Sequence, residues 1–248
     1  NRFPSLNIDF LSINSMFARF FPAGFYYKTF MWPASLWMFY ERFIRQAAGL
    51  GKVSKNHHDP DRYEHKYAHC DLLVAGGGAS GLQAALVAAN SGARVIIADE
   101  QSELGGWLLT DKNFNIDQKP AMNWASNVIK KLYSMPNVTC LVRTTITASM
   151  DDNFILMAER VTEHLSIKEA HLPKQRLWKL RATKVILATG AIERPLIFSG
   201  NDLPGIMLSS AARSYIFRYD VLAGTRVIVF TNNDDAYYTA LAIHQAGG

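Results

Sequence analysis

Cysteine is scarce: the 248 residues hold two, Cys70 and Cys140. Both lie in or beside apolar runs that read as strands, which excludes a disulfide framework and implies a reducing compartment, the cytoplasm. Charge is thin as well, at 19%, with 26 Lys and Arg against 21 Asp and Glu for a net charge of +5. The basic residues form no run interleaved with stacking aromatics, so no nucleic-acid partner is expected; the small excess suits an anionic cofactor or an acidic partner surface. Long apolar runs are missing too. The longest, Phe20 to Tyr40, contains Pro22, Lys28 and Pro33 and fails as a membrane span. Nor does a basic segment followed by an apolar one open the chain, so no signal peptide is expected. Disorder is excluded by a hydrophobic content of 49%, and collagen or low complexity by 16 Gly and 9 Pro. The chain lacks an initial Met and stops at Gly247-Gly248 after an apparent strand and helix. A βα unit needs its next strand to bury the sheet edge, so the expectation is a piece of a longer polypeptide.

Aromatic residues are plentiful, and they crowd the start. Residues 1 to 69 read as an aromatic-rich arm and linker, broken by Pro22-Ala23-Gly24 and Trp32-Pro33. Within it, Leu36, Phe39, Tyr40, Phe43, Ile44 and Ala47 recur at helical spacing over 35–48. The arm is expected to pack on this domain or on another subunit, because large apolar surface is rarely left bare. A polar linker is expected from Lys52 to Ala68. Its His57, His58, His65 and His69, with Cys70, read as solvated imidazoles and not as a metal centre, since no second ligand pair has zinc-site spacing.

Residues 70 to 220 alternate between strand and helix. Strands are predicted at Asp71 to Ala75, Arg94 to Ala98, Val138 to Thr147, Phe154 to Val161, Leu177 to Arg181 and Lys184 to Ala188. Helices are predicted at Ala79 to Asn90, Ala121 to Ser134 and Ser209 to Tyr219. The strands from Val138 to Arg181 suggest an antiparallel excursion. From 221 to 248 a strand (Arg226 to Thr231) and a helix (Ala236 to Gln245) look like the start of a second, truncated nucleotide-binding unit.

The strongest motif is Gly76-Gly77-Gly78-Ala79-Ser80-Gly81, a G-x-G-x-x-G between a strand and an Ala-rich helix. Gly76 permits the tight turn, Gly78 lets a pyrophosphate approach the backbone, and Gly81 lets the helix lie close to the sheet. The helix start offers unpaired N–H groups and the positive end of its dipole. Asp99 follows at the end of the second strand, where a carboxylate can hold an adenosine ribose, with Glu100 able to share the role. Such an acid would repel a 2′-phosphate and favour NAD or FAD over NADP. Gly105-Gly106 and Ala188-Thr189-Gly190 let further segments cross near the cofactor. Together these features indicate an α/β, Rossmann-like FAD/NAD(P)-binding fold of the two-dinucleotide-binding flavoprotein type. The later turn, Thr231-Asn232-Asn233-Asp234-Asp235, has no glycine and two acids, so it is not expected to hold phosphates; its acids could cap the helix. Glu193-Arg194 reads as an ion pair or as a contact near a flavin interface.

Several segments resemble the alpha subunit of bacterial heterotetrameric sarcosine oxidase nearly end to end. They are Phe21 to Pro33, His69-Cys70-Asp71, Arg143-Thr144-Thr145, Arg176-Leu177-Trp178, Ala188 to Pro195, Asn201 to Gly205 and Phe230 to Asp235. The resemblance implies oxidative demethylation of sarcosine to glycine with oxygen as acceptor and peroxide as product. It implies NAD on this chain, FMN at the interface with the beta subunit, FAD on the beta subunit, and tetrahydrofolate on a later portion of the alpha chain. The implied partners are the beta, gamma and delta subunits. It assigns NAD to Gly76, Gly78, Ala79, Ser80 and Gly81, the ribose to Asp99, Glu100 and Gln101, and further contacts to Gly106, Trp107, Thr189 and Gly190. Ile146 takes the position flanking adenine. Trp107 departs from the small hydroxyl residue common in that family.

No nucleophile stands beside a base, so no catalytic acid or base is expected on this chain. The alternatives are a subunit of a related opine or amino-acid oxidase complex, a self-sufficient FAD-dependent reductase, and a non-catalytic module with a vestigial nucleotide site.

Overall fold

Alternation of buried side chains dictates the sheet at the centre of this computed structural model, which describes residues 10–20, 32–47, 59–110, 114–116, 118–167, 169 and 171–248. Strand β1 (Tyr63–Ala75) carries Leu72 and Val74 on one face and Leu73 on the other, all buried. Strand β2 (Val95–Ala98) repeats the pattern, with Val95 and Ile97 opposite Ile96 and Ala98. Burial on both faces is what a parallel sheet requires of its strands. The other strands are β3 (Val138–Leu141), β4 (Thr144–Met150), β5 (Phe154–Arg160) and β6 (Gln175–Leu187). Their order is β3-β2-β1-β6-β5-β4. The first four are mutually parallel, and β6, β5 and β4 form the expected antiparallel excursion.

Two helices cover the first face. Helix α2 (Ala79–Asn90) presses Leu82, Ala85 and Ala89 onto it, and α3 (Ala121–Ser134) adds Ala121, Ala125, Val128 and Leu132, one stripe at helical spacing. Beyond the end of α2, the Asn137 amide donates to the carbonyls of Ala89 (2.9 Å) and Ala93 (2.8 Å) and ties the helix end to the loop that leads into β2. On the other face a second cluster joins Leu73, Ile96, Leu141, Ile155, Met157, Trp178 and Leu180. Helices α4 (Ser209–Tyr219) and α5 (Asp235–Gln245) are tied together by Arg213 to Asp235 at 2.6 Å and by the hydroxyls of Ser209 and Thr239.

The chain divides into Asn1–Pro60 and Asp61–Gly248, so residues 221–248 fall inside the second unit. The first unit contains α1 (Trp37–Ala47), which corresponds to the helix predicted over 35–48 and carries an Arg45 to Glu41 pair at 2.6 Å. Most of the aromatic segment from Phe21 to Pro33, along with His57 and His58, lies outside the described residues.

Four expectations are corrected. The linker predicted to Ala68 ends earlier, because Tyr63 to His69 pair with Gln175 to Arg181 and extend β1. The same pairing fuses the two strands predicted at Leu177 to Arg181 and Lys184 to Ala188 into β6. The strand predicted over Val138 to Thr147 is broken by Arg143, whose φ of +51° turns the chain between β3 and β4. Arg226 to Thr231 forms no strand: no described strand lies beside it, and Ile228 is 95% exposed.

Candidate functional site

The carboxyl ends of β1, β2 and β6 converge. Gly76 N donates to Ala98 O and Ala188 N to Ala75 O, both at 2.8 Å. Here Gly76 makes the turn out of β1 with φ +104°, and a Cβ on it would strike Ala188 O. At Gly81 a Cβ would strike Gly76 O, so only glycine lets α2 start this close to the strand. Gly78 is different. A Cβ there would meet nothing nearer than Gly106 Cα, at 4.0 Å, which leaves room in front of the turn. Helix geometry leaves the N–H groups of Ala79, Ser80 and Gly81 without intrahelical acceptors at that same point. The space before Gly78 and these donors fit a pyrophosphate.

A second loop closes over the turn. Gly105 N donates to Gly77 O at 2.8 Å, and Gly106 lies against Gly78. Trp107 lies in a short 3-10 helix (Gly106–Leu109), and a Cβ on Gly190 would sit 4.0 Å from its indole Nε1. The structure thus brings Gly76, Gly78, Ala79, Ser80, Gly81, Gly106, Trp107, Thr189 and Gly190 to one crevice. Ile146 is set apart: it is half-buried on β4 among the second core cluster.

The acids at the end of β2 divide their work. Asp99 is 9% exposed and turned inward; its Oδ2 accepts from Gly77 N at 2.6 Å and its Oδ1 from Gln101 N at 2.8 Å. Each oxygen helps to shape the glycine turn or the loop that follows. Glu100 and Gln101 are exposed. With Ser102, Arg143, Arg160, Glu163 and His164 they line a cavity of about 540 Å³. Sequence reasoning had no signal for Arg160 or the cavity, because both depend on how the excursion folds back.

Two further expectations change. Glu193 makes no ion pair with Arg194 among the described contacts; its carboxylate accepts the N–H groups of Ser209 (3.2 Å) and Ser210 (2.8 Å), capping α4 from a distance. Burial alone would raise its pKa, but these hydrogen bonds and the nearby Arg213 hold it below the usual value. At the later turn, Asn233 Oδ1 accepts from Asp235 N at 3.0 Å, and Asp235 serves Arg213 and not the helix end. Cys70 and Cys140 carry thiols pushed up to about 11, chiefly by burial, so neither is a thiolate nucleophile near neutral pH. Among the described residues no helix is long and apolar enough to cross a membrane.

Residues 71–135 match the family described as FAD dependent oxidoreductase. Over all of its 248 residues the chain is 51% identical to the alpha subunit of sarcosine oxidase from Rhizobium meliloti, and it spans 25% of that protein. Over 58% of the chain it is 31% identical to an opine oxidase subunit from Agrobacterium tumefaciens, covering 28% of that protein. Its fold resembles L-proline dehydrogenase from P. horikoshii, with a TM-score of 0.62 over 77% of this chain and 36% of the other, at 22% identity. Over its 248 residues, the chain is accordingly a relative of one quarter of a sarcosine oxidase alpha subunit, built on the FAD/NAD(P)-binding α/β fold of the flavoproteins.

Proposed function

We propose that this segment is the NAD-binding portion of the alpha subunit of a sarcosine oxidase complex. The observation that carries the reading is the crevice at Gly78, open in front of the turn and facing the donors of α2. The pyrophosphate would be held by Gly78, Ala79, Ser80 and Gly81, with Gly106, Trp107, Thr189 and Gly190 around it. The ribose falls to Glu100 and Gln101, because Asp99 is buried with its carboxylate turned to Gly77 N and Gln101 N while Glu100 and Gln101 are exposed. A bound nicotinamide ring can accept or donate hydride; this chain's own part is to bind and orient.

In the whole complex, sarcosine is oxidised to glycine with oxygen as acceptor and peroxide as product, and tetrahydrofolate takes the one-carbon unit. FAD on the beta subunit and FMN at its interface with the alpha subunit complete the redox path, and gamma and delta subunits complete the assembly. The substrate assignment rests on the 51% identity over the full chain, against 31% over part of it for the opine oxidase relative.

The reading is tested by denaturing the purified full-length protein and identifying the nucleotide it releases. NAD is expected, and FAD as the sole nucleotide would support the reductase alternative. Titration with NAD should show Glu100→Gln weakening affinity by about 1.5–3 kcal/mol, the scale of a charge-assisted hydrogen bond. Asp99→Asn is expected to act through the turn instead, lowering folding stability along with affinity.

A further inference from the structure

The first four carbonyls after β2, Asp99 to Ser102, accept hydrogen bonds from β4, β5 and the Arg143 turn that precedes β4. Thr144 N donates to Asp99 O at 2.8 Å, and Arg143 N to Gln101 O at 2.7 Å. Arg160 Nη2 donates to Glu100 O at 2.8 Å, and Arg143 Nη1 reaches Ser102 O at 3.4 Å. The two arginines are linked in turn, with Arg160 N donating to Arg143 O at 3.0 Å. An exposed loop ordinarily leaves such carbonyls to water. Here Thr144 of β4, Arg160 of β5 and the Arg143 turn between β3 and β4 hold the stretch, and Arg143 keeps a left-handed backbone, φ +51°, that costs energy at a non-glycine residue. The arginines also wall the cavity that Glu100 and Gln101 face.

We propose that Arg160, supported by Arg143, is a positioning residue for nucleotide recognition: it pins the Glu100 peptide so that the Glu100 carboxylate is presented to the hydroxyls of an adenosine ribose. This rests on the nucleotide-binding reading above. The guanidinium need not touch the ligand. Its effect runs through Glu100, so removing it should erase discrimination for ribose hydroxyls and leave the rest of the affinity in place.

The test is calorimetric titration of the nucleotide-freed full-length chain with ADP and with 2′-deoxy-ADP. The wild type is expected to prefer ADP by about tenfold, one charge-assisted hydrogen bond expressed as affinity. Arg160→Ala should reduce that preference to below about threefold and change the affinity for 2′-deoxy-ADP by less than about twofold. Arg160→Met, which keeps the aliphatic stem and removes the donors, should do the same and serves if the alanine variant does not fold. Adding Arg160→Ala to Glu100→Gln should change nothing further, since both act on one contact. A preference that survives the loss of Arg160, or an equal loss for both ligands, overturns the proposal. So does a wild type that binds both ligands alike. If the wild type binds neither ADP nor NAD, the nucleotide-binding reading falls as well, and a wild type that binds NAD while Arg160→Ala keeps its preference removes this inference alone.

Discussion

At the scale of single residues, three glycines of one motif have separable duties. Gly78→Ala adds a methyl group that meets only Gly106 Cα, at an ordinary contact distance of 4.0 Å, so stability should change by no more than about 0.5 kcal/mol, as for surface substitutions. The same methyl group fills the approach to the backbone, so NAD affinity should fall at least about tenfold, or 1.4 kcal/mol. Gly81→Ala drives a methyl group into the Gly76 carbonyl, which cannot step aside without moving the turn. It should cost about 1–3 kcal/mol of folding stability even without nucleotide. Denaturant melts and NAD titrations on the two variants check the contrast; equal destabilisation would contradict it. The motif itself was legible because each glycine answers a local steric demand. The choice between Asp99 and Glu100 was not. Spacing places an acid at the strand end, but which carboxylate faces out depends on Gly77 N and Gln101 N reaching Asp99 first.

At the scale of elements, α2 and α3 have the limits read from the sequence because their apolar stripes are local properties. The strands were harder. Tyr63 to His69 is polar enough to pass for a linker, and only its pairing with Gln175 to Arg181 makes it strand. The pairing is reinforced by Arg176, which bonds Glu64 on β1, while a second Arg176 bond at 2.8 Å and the Trp178 indole at 2.7 Å reach Glu159 and tie β6 to β5. Arg226 to Thr231 shows the converse, apolar enough for a strand but paired with no described strand. Where β1 enters its buried half, Asp71 clamps the start of β2: Oδ1 accepts from Arg94 Nη2 at 2.7 Å, and Oδ2 from Arg94 N at 2.8 Å. The Arg94 side chain, aided by its backbone N–H, holds the Asp71 carboxyl at about 2, below its ordinary 3.8. A depressed native pKa means the clamp stabilises the fold above about pH 4 and is lost as the pH falls toward 2. The melting temperature of the wild type should therefore drop more steeply across that window than that of Asp71→Asn, with the two curves converging near pH 2. Parallel curves would show that the clamp contributes nothing.

At the scale of the whole molecule, the crevice joins parts that are distant in sequence. Gly76 to Gly81, Asp99 to Ser102, Gly105 to Trp107 and Ala188 to Gly190 meet only at the carboxyl ends of β1, β2 and β6, where an open parallel sheet places its ligands. A dinucleotide lying across them would bind the assembled crevice and have nothing comparable to hold in the unfolded chain. Mass action then requires it to stabilise folding: at a free concentration 100 times its Kd, NAD should raise the unfolding free energy of the full-length chain by about 2.7 kcal/mol. Amide hydrogen exchange should slow together in those four segments and remain unchanged on the exposed polar half of β1, Tyr63 to His69. The joint response is the informative part. Protection confined to Gly76 to Gly81 would mean that a phosphate-sized anion alone accounts for binding at the helix start, whereas protection extending to Asp99 to Ser102 requires a ligand long enough to carry an adenosine to the loop that the excursion holds.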